Sequence, residues 1–174
     1  PASPKARAQT RRAIAPRAVE VAVWDIDNVF PSLKDTLERM TGAQEKIGFE
    51  LVDLSAPIDA WDLEEKADDG TPYLWAEKLA KRLGRVPLEL HVNVLACVTR
   101  HWLRDDDTLN IYGWWPDKGE GPVVIFSVAG FDDLPPAGAE TDRAIANVLV
   151  SGLAGFLGGI DAHDRGAKDC PMAA

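Results

Sequence analysis

Residues 147–172 read NVLVSGLAGFLGGIDAHDRGAKDCPM and bring metal-type donors together at Asp161, His163, Asp164, Asp169 and Cys170. A catalytic zinc site takes about three protein ligands of nitrogen, sulfur or carboxylate type. Asp161, His163 and Cys170 could form a set of that kind. The helical run ahead of them supplies no ligand. Ala144, Val148, Ser151 and Gly155 share one face as a smooth stripe, which suits a shallow pocket or close packing of another backbone. Gly152 and Gly155 each lose roughly 1 kcal/mol of helix propensity against alanine, so packing must offset the loss. Ser151 has no neighbouring histidine and no G-x-S-x-G elbow, which argues against a serine hydrolase.

Other candidates have simpler readings. Asp25 and Asp27 in VWDIDN could be an acid pair for metal or phosphate chemistry, but at a strand end before a helix they suit turn and cap roles. Asp105, Asp106 and Asp107 lack the twelve-residue calcium pattern and read as a solvated turn. His91 and His101 read as packed or surface histidines. Trp102, Trp114 and Trp115 bracket LNIYGWW, and a strand rimmed with tryptophan could accept a peptide by sheet extension.

The elements that must position these residues follow from periodicity. VEVAVWDID (19–27) is a β-rich first strand, residues 31–48 an amphipathic helix opened by Pro31, and FELVDLS a half-buried strand. Residues 55–72 read as an acidic loop and 73–84 as a helix closed by Gly84. Residues 88–99 form an apolar central strand, LNIYGWW and PVVIFSVAGF two more strands, and 139–157 a long last helix. The order βαβ–α–β–β–β–α predicts an α/β (α+β) fold. It has a mixed, mostly parallel twisted sheet of about five strands, one of them an antiparallel edge, packed with about three helices.

A chain of 174 residues fits one domain, here 19–174, with a basic flexible tail or linker at 1–18. That tail carries five of the 19 basic residues and no acid, leaving 14 basic against 28 acidic residues, net −14, in the remainder. An acidic body excludes a nucleic-acid face. No apolar run approaches a membrane span, and no signal peptide opens the chain. A start at Pro1 suggests processing or excision from a longer protein. Two cysteines are too few for a disulfide scaffold, and Cys97 in VNVLACV reads as a buried thiol. Whether it pairs with Cys170 stays open, with a lean to the cytoplasm.

Residues 151–172 resemble the active-site segment of metzincin zinc proteases, H-E-x-x-H-x-x-G-x-x-H or D followed by a methionine turn. Laid on this chain, the pattern falls at Ser151, Gly152, Gly155, Gly158 and Asp161, with Met172 at the methionine turn. LHVNVLACVTRHWL is similar to the central strand of compact metzincins, LNIYGWW to the edge strand of their substrate cleft, and GPVVIFSVAGF to the strand leading to the active-site helix. The likeness, nearest the archaemetzincins and snapalysin-like proteases, covers roughly residues 19 to 172. Turn glycine, third-ligand aspartate and methionine are matched, while both histidines and the general-base glutamate are absent.

The resemblance therefore implies a degenerate, non-catalytic metalloprotease-like domain with no cofactor. Its binding cleft would comprise Asn110, Tyr112, Trp114, Trp115, Ser151 and Gly155, and would hold a peptide, a protein or other domains of a longer chain. Two alternatives stand beside it: a metal-dependent hydrolase with its zinc on Asp161, His163 and Cys170, and a structural interaction domain unrelated to proteases. If the scaffold persists, Ser151→His with Gly152→Glu and Gly155→His should restore a zinc site.

Overall fold

The structure is a computed structural model that describes residues 18–28, 30–54, 63–66, 70, 72–117, 121–129, 131 and 138–158. Residues 1–17 of the expected tail, and Asp161, His163, Cys170 and Met172, lie outside the described residues.

The principal sheet has the order β2-β1-β5-β9-β8. Strands β1 (Val19–Asp25), β2 (Ile47–Val52), β5 (Val94–Thr99) and β9 (Val123–Ser127) are parallel, and β8 (Gly113–Trp114) runs antiparallel along β9 at the edge. Every residue of β5 and β9 is buried. Their unbroken apolar runs are what strands covered on both faces require.

Alternation divides the core in two. Val21, Val23, Ala96, Val98, Val124 and Phe126 face α1 (Leu33–Gly42) and α4 (Ala139–Gly158). Ala22, Trp24, Leu95, Cys97 and Ile125 face α2 (Ala76–Leu83). Burial holds the Cys97 thiol well above its ordinary pKa, so it is a packing group. The expected architecture, a mostly parallel sheet with an antiparallel edge and three main helices, is the observed one. Among the described residues no helix is long and apolar enough to cross a membrane.

Several expected boundaries are corrected by tertiary pairing. The first helix ends at Gly42, not 48, because Ile47 and Phe49 pair with Val19 and Val21 of β1. The Gln44 side chain accepts the N–H groups of Lys46 and Ile47 at 2.7 Å and turns the chain into β2. The acidic loop contains β3 (Leu63–Lys66), and residues 73–75, expected as helix, belong to β4 (Pro72–Trp75). Leu74 sits opposite Leu103, and its N–H donates to the Trp102 carbonyl at 2.7 Å. The strand expected from 88 begins only at Val94, after a single helical turn, α3 (Val86–Glu89). LNIYGWW is not one edge strand. β7 (Leu109–Ile111) joins a second, four-stranded sheet, β3-β4-β6-β7, by pairing with β6 (Leu103–Arg104), and only Gly113 and Trp114 reach the principal sheet.

Candidate functional site

Three places bear on function: the seam between α4 and the sheet, the carboxyl ends of the parallel strands, and the β8 edge.

On α4, Val148, Gly152 and Gly155 are buried, Ser151 is half-buried, and Gly158 is exposed at the helix end. The stripe is therefore packed rather than open. Gly152 sits against Phe126 of β9. A Cβ built on Gly152 would lie 3.0 Å from the ring Cδ1 and closer still to Cε1 and Cζ. Because Phe126 is itself 1% exposed, the ring has nowhere to swing. This explains a glycine in mid-helix: its missing side chain is the space the phenyl ring fills. The position at which the resemblance would place a catalytic glutamate is thus occupied by core. Serine and two glycines also offer no imidazole, so the residues present here do not fit a catalytic zinc ion. Nor is room left for the glutamate of the histidine–glutamate–histidine set expected to restore one. Among the described residues no group of three His, Cys, Asp or Glu side chains converges to hold a metal.

At the carboxyl ends of β1 and β5, the chain builds a tie. Asp27 Oδ2 accepts the Thr99 hydroxyl at 2.6 Å and the Arg100 N–H at 2.8 Å, and Oδ1 lies 3.2 Å from His101 Nε2. Burial disfavours ionised Asp27, but the hydrogen bonds from His101, Thr99 and Arg100 outweigh it and hold its pKa below the ordinary 3.8. The hydrogen bond to Asp27 raises His101 above the ordinary 6.5, against an opposing contribution from burial. His101 Nδ1 is enclosed. It meets no hydrogen-bond partner, while the Pro72 backbone favours the charged ring. With Nε2 committed to Asp27 and Nδ1 covered, neither ring nitrogen can serve a substrate, and the pair positions loops. Ser127 extends the tie, donating its hydroxyl to the His101 carbonyl at 2.7 Å and accepting the Ala129 N–H at 2.9 Å. Asp25 has a capping role, accepting the Phe30 N–H at 2.9 Å. Asp105 likewise closes its own turn through the N–H groups of Asp107 and Thr108.

The β8 edge is different in kind. The Ser127 N–H donates to the Tyr112 carbonyl at 2.9 Å, and Gly113 stands opposite Phe126. In an antiparallel ladder that alternation turns the N–H and C=O of Gly113 away from β9, toward the outer side. Tyr112 is 51% exposed and Trp115 37%, so large rings flank those outward groups. Tyr112 stacks, tilted, between Trp102 at 6.3 Å and Phe131 at 5.9 Å. Trp114 turns inward toward the α2 face. A Cβ on Gly113 would come within 3.2 Å of the Trp115 ring, so glycine lets that ring lie across the strand. Of the residues expected to line a cleft, Tyr112, Trp114 and Trp115 do follow this edge, whereas Asn110 belongs to β7 in the other sheet.

Two features had no sequence signal. Asp27 and His101 lie 74 positions apart, and nothing in either neighbourhood specifies the other. Phe126 reads only as one more apolar residue of a buried strand.

The sequence matches no protein-family model and no curated protein. Among solved structures it is similar to a zinc-dependent peptidase from Methanocorpusculum labreanum (strain Z). That likeness covers 81% of each chain at 16% identity, with a TM-score of 0.50. At that identity it shows a shared, peptidase-like fold.

Proposed function

We propose that this chain is a metalloprotease-like domain of degenerate metzincin type that does not cleave peptides and instead holds an extended one along β8. The Phe126 ring in the space beside Gly152 carries the reading. A catalytic base at this position would need that ring displaced from the core. The outward N–H and C=O of Gly113, framed by Tyr112 and Trp115, support the binding half, because an exposed sheet edge offers main-chain hydrogen bonds to an added strand. The test is metal analysis of the purified protein, a casein-cleavage assay, and titration with end-blocked peptides followed by tryptophan fluorescence. Peptide binding without turnover is the expected result. Stoichiometric zinc with chelator-sensitive turnover would end this reading.

The similar structure, a zinc-dependent peptidase, favours a second reading, in which metal sits on Asp161, His163 and Cys170. It requires that Asp161→Ala and His163→Ala each remove bound metal from a protein that stays folded. Unchanged metal content would discard it.

A further inference from the structure

We infer that the peptide held along β8 is basic, with every second side chain a lysine or arginine seated in an acidic groove beside Trp114. The inference rests on the reading that β8 accepts an added strand.

A groove of about 400 Å³ lies along Gly113 to Asp117, walled on its far side by the β6–β7 turn and by the start of α2. Its charged lining is acidic throughout: Glu77, Asp105, Asp106, Asp107 and Asp117. Not all of these carboxylates are available. Asp105 is committed to its own turn, and Glu77 is paired with Lys81 one helical turn on. Asp106, Asp107 and Asp117 are exposed and have no partner among the described residues. Among the described residues, Lys81 is engaged with the groove residue Glu77, and Arg104, next in sequence to Asp105, lies over the Trp75 ring at 4.3 Å. No cation stacks on Trp114 or Trp115 among the described residues. Neither indole thus holds a cation among the described residues, although three uncommitted carboxylates gather beside them.

Strand geometry makes the match specific. A strand added beside β8 sends alternate side chains to opposite faces, about 6 to 7 Å apart on each face. Those on the α2 side meet Trp114, Glu77, Asp106 and Asp107, and those on the other side meet Trp115. An alternating basic–apolar segment satisfies both walls at once, whereas an acidic segment is repelled on one of them.

The probes are end-blocked Lys–Val, Ser–Val and Glu–Val alternating peptides of equal length, titrated at low salt into the full chain. The Lys–Val peptide should bind roughly tenfold tighter than Ser–Val, with the gap closing as salt screens exposed charges. Asp106→Asn with Asp107→Asn and Asp117→Asn should bring Lys–Val down to the Ser–Val affinity and leave Ser–Val binding unchanged. A control triple on the α1 side, Asp35→Asn with Glu38→Gln and Glu45→Gln, removes the same charge elsewhere and should change Lys–Val binding less than about twofold. Equal affinity for all three peptides, or equal weakening by the two triples, overturns the basic-peptide inference while strand addition stands. Failure of every peptide to bind overturns both. All six substitutions replace exposed carboxylates, and circular dichroism with an unchanged melting temperature confirms that the variants are folded.

Discussion

The seam between α4 and β9 and the free side of β8 are adjacent, joined through the pairing of Gly113 with Phe126, yet they have opposite characters. At the seam, a glycine on the helix meets a phenylalanine on the sheet, and the volume between them is full. At the edge, a glycine in the strand leaves main-chain groups facing outward, and the surrounding rings are exposed. On the proposed reading, the first region is where a peptidase of this type would do chemistry and the second where it would hold substrate. In this chain the first is core, while the second presents exposed rings and outward main-chain groups. Catalysis and strand addition make separable demands on one scaffold, since the first needs donor atoms in an open space and the second needs only an unpaired edge.

The contrast can be broken most forcefully at Gly152. Gly152→Glu would push a carboxylate into Phe126, and a loss of about 4 kcal/mol or more is expected, seen as a non-cooperative or absent urea transition. Gly152→Ala is the milder form. Alanine gains roughly 1 kcal/mol of helix propensity, yet overpacking should reverse the sign and leave a net loss of about 1–2 kcal/mol. Adding Phe126→Leu should recover part of that loss in a double-mutant cycle. If Gly152→Ala stabilises the protein, the seam is not closed and the case for lost catalysis fails with it.

At the edge, Trp115→Ala should change stability by about 1 kcal/mol or less while weakening peptide binding roughly tenfold, measured by calorimetric titration. An equal fall in stability and binding would instead make Trp115 part of the core. The smallest effect belongs to the Asp27–His101 tie, which lies outside both regions. His101 has its pKa raised on folding, so its contribution is fully present below 6.5 and lost as pH rises through the folded value. Asp27 has its pKa lowered, so its contribution is present above 3.8 and lost as pH falls through the folded value. The tie is therefore strongest between about pH 4 and 6.5. His101→Gln should lower stability there by about 1 kcal/mol, with a smaller deficit at pH 8. A pH-independent deficit would mean that packing, not ionisation, is what His101 contributes.

Local pattern was enough to specify the four parallel strands and the long helices. A buried parallel strand must be apolar throughout, as VVIFS is, and an amphipathic helix must repeat its apolar residues, as Ala76, Leu79, Ala80 and Leu83 do. The small residues at 151, 152 and 155 were equally plain, and so was the absence of imidazole at Ser151 and Gly155. Whether that stripe faced a cleft or a neighbour was not legible. A glycine has the same local signature in both settings, and only the placement of Phe126 decided between them. The same holds for YLW (73–75), which helical periodicity claims until Leu103 pairs with Leu74, and for LNIYGWW, which two different sheets divide. The Asp27–His101 contact was equally invisible. Composition and periodicity constrain what a segment can be, because they act within a few residues. Which of two permitted states it adopts depends on pairing partners tens of residues away, and those meet only when the chain has folded.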